Sequence, residues 1–250
     1  MTGCGEKEPM LHLILVLLWL LLAFFIIGTL YLLVLLVVGL FSPALKDRLT
    51  QKFIVMICGG ITFLSGVKIE ATGVENIPED RAVLFISNHR SFYDIFSAYR
   101  FFKTNTGCLA KIEWRKLPVL NWYMMCLHCI FLDRKNSRAG LKCIIKCAEE
   151  LRSGRSIWIC PEGTRSHTDE LLPFHEGSFR AAFQSGAPIL PFTLTHTDDI
   201  LEKHMPWVKA TRIRIHFDPP IEVKDLSRAE QKEVIAQVQE LIQTRYNEMV

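Results

Sequence analysis

Residues 11–41 form a run of 31 positions with no Asp, Glu, Lys or Arg. As a helix rising about 1.5 Å per residue it would reach about 46 Å, more than the roughly 30 Å hydrocarbon core of a bilayer. A secretory signal has an apolar stretch of about 7–15 residues behind a basic start. This run is far longer and is entered through Glu6-Lys7-Glu8, so it predicts a retained membrane anchor. A second apolar stretch, 53–69, is interrupted by Gly59-Gly60 and Gly66 and predicts a shorter helix in or against the membrane surface. Three arrangements are open: one tilted helix, a bend near Gly28-Thr29, or a paired hairpin within one leaflet.

From about Val67 the pattern changes to short apolar runs alternating with longer mixed segments. That alternation predicts strands buried on both faces and joined by crossover helices. The strands fall at 68–72, 82–87, 107–111, 129–132, 156–160 and 189–194, and the helices at 94–102, 138–151 and 177–184. Residues 212–217 (Arg-Ile-Arg-Ile-His-Phe) alternate with period two, which predicts a half-exposed strand suited to a sheet edge. Ser227-Arg-Ala-Glu230 is a capping box, followed by Val234, Ile235, Val238, Leu241 and Ile242 at helical spacing. The expected fold is α/β, a mixed and largely parallel sheet flanked by helices behind a hydrophobic membrane-anchoring segment. The expected division is residues 1–66 as anchor and 67–250 as the α/β domain.

Charge orients this picture. Lys46, Arg48 and Lys52 follow the long run while Lys7 stands alone before it, which places the C-terminal domain in the cytoplasm. The 8 cysteines (4, 58, 108, 126, 129, 143, 147, 160) are scattered through apolar segments and do not form a dense disulfide framework. A net charge of +3 without a basic stripe interleaved with aromatics argues against nucleic acid as a partner.

Chemistry concentrates at strand ends, where ligands bind in open α/β sheets. The strand Val83-Leu84-Phe85-Ile86-Ser87 runs into Asn88-His89-Arg90-Ser91-Phe92-Tyr93-Asp94. On one continuous helix His89 and Asp94 would point roughly 140° apart, at about 100° per residue. They can pair only if His89 lies in the turn and Asp94 in the first helical turn. Asp94 then orients the imidazole and leaves its other nitrogen as a general base. In the plainer alternative Asn88 or Ser91 caps the helix and His89 merely packs. After the strand ending at Cys160, Pro161-Glu162-Gly163-Thr164-Arg165-Ser166 offers a permissive glycine and donors suited to a phosphate, or else an ordinary Pro-Gly loop with a solvated arginine. Asp133-Arg134 closes a third strand, either as a site element or as a surface ion pair beside Lys135 and Arg138.

Taken together these blocks resemble the glycerolipid acyltransferase family, and most closely its 1-acyl-glycerol-3-phosphate (lysophosphatidate) acyltransferase branch. NHRSFYD at 88–94 matches the family's Asn-His-x4-Asp block, and IFLDR at 130–134 is similar to the second. PEGTRS at 161–166 matches the third and APILPF at 187–192 the fourth. The resemblance covers roughly residues 70–195. It implies that His89 and Asp94 activate the acceptor hydroxyl and that Arg134, Glu162, Gly163, Thr164 and Arg165 bind or position the glycerol phosphate. Lys111, in a segment also similar to the family, is implied as a further charge contact. The implied donor is acyl-CoA or acyl-carrier protein, with no cofactor besides, and the implied acceptor is a membrane lipid.

The chain departs from the family at Pro173-Phe174-His175-Glu176-Gly177, where many members carry a lysine before the glycine. Either these side chains point away from the phosphate, or the acceptor headgroup is not a bare phosphate monoester. A thioester is already activated, so acyl transfer needs a base and proximity but no protein nucleophile. The absence of a Gly-x-Ser-x-Gly elbow agrees with that. Backbone N–H groups at the helix start after His89 are the expected oxyanion stabilisers. Three rival readings stand beside the acyltransferase. They are a zinc site at Cys126, Cys129, Cys143 and Cys147, a non-enzymatic lipid-binding adaptor, and a thioesterase in which His89 activates water.

Overall fold

The computed structural model describes residues 7–133 and 137–250. Arg134 and Lys135, and with them the end of the second sequence block, lie outside the described residues, as does Cys4. Among the described residues the chain divides into two compact units. One comprises the N-terminal part to Glu70, Arg90–Phe101 and Leu194–Ile215, and the other Ala71–His89, Phe102–Thr193 and His216–Val250.

In the first unit, α1 (Lys7–Trp19) continues through a wider π-helical stretch, Leu20–Ile27, into α2 (Gly28–Phe41). Together they give one apolar helix over Glu8–Phe41, 34 residues long, with only 22% of its most apolar window buried. So much exposed apolar surface needs a non-aqueous environment, consistent with a membrane anchor. At Ser42 the backbone becomes extended, its hydroxyl accepts the Leu45 N–H at 3.3 Å, and Pro43 takes the first helical position of α3 (Pro43–Leu64). The expected second helix is present but starts earlier than its apolar stretch. α3 begins ten residues before Phe53 and runs unbroken past Gly59 and Gly60. Gly60 is required because the Trp19 indole lies 2.3 Å from where a Cβ would stand, and Trp19 Nε1 donates to the Ile57 carbonyl at 3.2 Å. With Tyr31 stacked on Phe53 at 5.0 Å, α3 packs back along the long helix. Ser65 and Tyr93 then share a hydroxyl hydrogen bond of 2.7 Å, tying the end of α3 to α4 (Tyr93–Ala98).

The sheet carries β1 (Lys68–Thr72), β2 (Leu84–Ser87), β3 (Thr106–Lys111), β4 (Ile130–Leu132), β5 (Ser156–Ile159), β6 (Ile189–Thr195) and β7 (Arg212–Phe217), in the order β1-β7-β6-β2-β5-β3-β4. The pairs β2 with β5, β2 with β6, β3 with β5 and β3 with β4 are parallel. Sequence reading found every strand, but β7 is not the edge. Its alternating burial reports one covered and one open face, whereas β1 flanks it in the sheet.

Within the second unit the central strands alternate between two apolar layers. Leu84, Ile86, Ile157, Ile159 and Ile189 pack in one core with Cys147 and Leu151 of α6 (Ser137–Arg152), Ala181 and Ala182 of α7 (Arg180–Ser185), and Val238 and Ile242 of α8 (Arg228–Met249). Phe85, Phe102, Trp158, Phe192 and Phe217 form an aromatic layer, with Phe85 stacked on Phe102 at 4.3 Å and Phe192 on Phe217 at 5.1 Å. The expected capping box opens α8: Ser227 Oγ accepts the Glu230 N–H at 3.3 Å and Glu230 accepts the Ser227 N–H at 2.7 Å. Among the described α-helices, sequence reading missed α5 (Leu120–Cys126).

Candidate active site

Strand register explains why distant blocks meet. Ile86 pairs with Ile159 in the parallel β2–β5 ladder, so both strands release their chains at the same edge, and Asn88-His89 emerges beside Cys160-Pro161-Glu162. Beyond β5, at the same end, β3 delivers Lys111 level with Leu132 of β4, just ahead of Asp133. His89 is half-buried between Asn88 and Arg90, which are 1% and 4% exposed.

The third block grips His89 by its backbone. The His89 N–H donates to Glu162 Oε1 at 2.7 Å, and the His89 carbonyl accepts the Ser166 N–H at 2.8 Å. Glu162 is buried, and its other oxygen, Oε2, accepts the Leu172 N–H at 2.8 Å. Between them Gly163 takes a left-handed φ of 71°, and the His175 ring lies 3.1 Å from where a Cβ would be. His175 in turn donates its N–H to the Pro161 carbonyl at 2.9 Å. Thr164 is exposed and Arg165 half-buried on the same loop. His175 and Glu176 are both exposed, with the His175 ring lying against the Gly163 turn.

Downstream, α4 begins at Tyr93, so His89 precedes the helix and Asp94 lies in its first turn. Asp94 is fully buried. Its Oδ2 accepts the N–H groups of Arg90 at 2.8 Å and Ser91 at 2.9 Å, and its Oδ1 accepts the Thr197 hydroxyl at 2.5 Å. The Phe92 N–H goes to Glu202 Oε1 at 2.8 Å and the Tyr93 N–H to Ser91 Oγ at 2.8 Å. Every backbone N–H from His89 to Tyr93 is therefore already engaged. This corrects the expectation that this helix start supplies an oxyanion hole, because its donors are committed to carboxylates and a hydroxyl. Neither Asn88 nor Ser91 caps the helix in the way the plainer reading had it: the N-cap is Phe92, without a side-chain cap bond, and Ser91 Oγ accepts the Tyr93 N–H instead.

Sequence reading overlooked the segment after β6. Arg90 and Asp198 form a buried two-point ion pair (Nε to Oδ1 3.2 Å, Nη2 to Oδ2 2.9 Å), and Lys203 reaches Asp198 at 3.1 Å and Asp199 at 2.8 Å. Burial alone would raise the Asp198 carboxyl, but hydrogen bonding and charge from Arg90, joined by Lys203, outweigh it and hold the carboxyl below its ordinary range. Acids four apart, Asp198 and Glu202, directly after the fourth block were the available signal. The cysteines with ligand-like spacing are used differently. Cys129 Sγ lies 3.5 Å from Cys108 Sγ, and Cys143 and Cys147 are core residues whose thiols burial pushes up. Among the described residues no group of three His, Cys, Asp or Glu side chains is gathered as a metal site.

Comparison with known proteins gives a consistent answer. The Acyltransferase family model matches residues 68–195. A Borreliella burgdorferi protein named 1-acyl-sn-glycerol-3-phosphate acyltransferase is 32% identical over 180 residues, 72% of this chain and 72% of that one. A Saccharomyces cerevisiae protein of the same name is 34% identical over 139 residues, 54% of this chain and 46% of its own. The crystal structure of the 1-acyl-sn-glycerophosphate (LPA) acyltransferase PlsC from Thermotoga maritima superposes with a TM-score of 0.78 at 26% identity, covering 96% of this chain and 97% of that one.

Proposed function

The chain belongs to the acyltransferase family, and from that premise we propose that it makes phosphatidate. In this reading it moves a fatty acyl group from a thioester of coenzyme A or acyl-carrier protein to the free hydroxyl of 1-acyl-glycerol-3-phosphate. The names of its Borreliella, yeast and Thermotoga relatives support the acceptor. The observation that carries the mechanism is the two-sided backbone clamp on His89, which fixes a half-buried imidazole at the end of a buried strand. His89 takes the proton of the acceptor hydroxyl as that oxygen attacks the thioester carbonyl carbon. The tetrahedral adduct collapses, the carbon–sulfur bond breaks, and the departing thiolate takes the proton back from the imidazolium. Asp94 fixes the tautomer and stabilises that imidazolium.

Thr164 and Arg165, on the turn made by Gly163, hold the headgroup phosphate, with Lys111 and Arg134 adding charge. Glu162 acts by positioning, since each of its oxygens already accepts a backbone N–H. Residues 1–66 keep the protein at the bilayer and residues 67–250 carry out the reaction on its cytoplasmic side. The test is transfer from labelled acyl-CoA, and separately from acyl-carrier protein, to lysophosphatidate and to lysophospholipids with other headgroups by detergent-purified protein. Phosphatidate formation that falls about 10²–10⁴-fold in His89→Ala is expected for loss of a positioned base. Preference for another headgroup would move the acceptor. Lipid binding without turnover would point to an adaptor, and acceptor-independent release of fatty acid to a thioesterase.

A further inference from the structure

We infer that Thr197 is a positioning residue of the His89–Asp94 base, a role that rests on the function proposed above. Asp94 is 0% exposed, and its two oxygens are satisfied in unequal ways. Oδ2 is held by the N–H groups of Arg90 and Ser91, which belong to the same turn and follow it wherever it moves. Oδ1 is held by the hydroxyl of Thr197, more than a hundred residues away in the chain and itself fully buried. Thr197 is the long-range bond that sets the rotation of the carboxylate.

The surroundings show that this bond is one strut of a brace between residues 90–94 and 197–203. Arg90 is locked to Asp198, and Glu202 takes both the Ser91 hydroxyl at 2.6 Å and the Phe92 N–H. These neighbouring struts tie the two segments together, and Thr197 reaches across from the second segment to the carboxylate itself. Removing its hydroxyl takes a donor away from a buried carboxylate oxygen and weakens the hold on its rotation, while the brace still holds the fold. The hydroxyl thus acts on the chemistry through Asp94 and makes no demand on substrate affinity.

The test is acyl transfer by Thr197→Val, Thr197→Ser and Thr197→Ala, each alone and combined with His89→Ala, with melting temperatures measured in parallel. For loss of a hydrogen bond to a charged group, kcat of Thr197→Val should fall about tenfold with KM for both substrates within about twofold of wild type. Thr197→Ser should restore it. In the His89→Ala background neither Thr197→Val nor Thr197→Ala should lower the residual rate further, because groups that act as one unit are not additive. Equal fold losses with and without His89 would show a purely structural role and overturn the inference. So would an unchanged kcat in Thr197→Val. Unchanged transfer by His89→Ala would instead remove the proposed base itself, which separates the two failures.

Discussion

Glu162 holds His89 through its backbone: Oε1 accepts the His89 N–H at 2.7 Å while Oε2 accepts the Leu172 N–H at 2.8 Å. The resemblance to known enzymes implied a substrate contact for this acid, yet a carboxylate against a phosphate would repel it. A buried carboxylate shared between two loops has a different use: it sets the distance between the His89 turn and the segment leading to His175. Glutamine in its place has one carbonyl oxygen for two N–H groups and turns its NH₂ toward the other. Glu162→Gln should therefore cost about 1.5–3 kcal/mol of stability and lower kcat about tenfold or more. KM for the acceptor should change little. A large rise in that KM with unchanged kcat would return Glu162 to the binding site.

Asp94→Asn isolates charge from geometry. The asparagine oxygen can still accept from the Arg90 and Ser91 N–H groups, and its NH₂ can donate to the Thr197 hydroxyl, which accepts as readily as it donates. The turn should stay folded, with a melting temperature close to wild type, while the counter-charge for the imidazolium disappears. A fall in kcat of about 10²-fold or more at constant fold is expected if that charge serves the base. Full activity at an intact fold would leave Asp94 a purely structural residue.

Gly163 is constrained twice, by its left-handed backbone and by the His175 ring 3.1 Å from a would-be Cβ. Gly163→Ala should destabilise by about 1–2 kcal/mol from the backbone alone. It should also lower activity, because Glu162 and Ser166 on either side grip His89. The steric part is separable. In the double variant Gly163→Ala/His175→Ala the ring is gone, so part of the stability should return, while the backbone part remains. A double variant no more stable than Gly163→Ala would show that the ring was never in conflict.

The strands, the α8 cap and the first and third blocks were legible because each depends on short-range pattern. Buried runs of Leu, Ile, Val and Phe mark strands, and Ser227 with Glu230 marks a helix start. That Pro161–Ser166 would close on His89 was hidden, since it depends on β2 and β5 being parallel neighbours in one register. The roles of Thr197, Asp198 and Glu202 were hidden for the same reason: their partners at 90–94 are more than a hundred residues distant, and the spacing of two acids does not say what they hold. The use of Gly60 was hidden too, because the sequence does not say that Trp19 packs where its side chain would stand.

The buried pair of Arg90 and Asp198 predicts an acid-dependent stability with a definite sign. Its carboxyl is held below its ordinary value in the folded chain, where burial opposes and Arg90 and Lys203 together prevail. A group depressed on folding stabilises fully above its unfolded value, about 3.9 for aspartate, and loses that contribution as pH falls through the folded value. Asp198→Asn leaves Arg90, 4% exposed, without its counter-charge, and breaking a buried pair from one side costs about 3–5 kcal/mol. The variant should therefore melt well below wild type at pH 7. That gap should narrow as pH is lowered below about 4, because wild type then loses by protonation what the variant lacks already. Thermal unfolding of both proteins in the same detergent from pH 3 to 7 measures it. A gap that stayed constant across that range would mean the pair acts through shape and hydrogen bonding alone, with no contribution from the charge on Asp198.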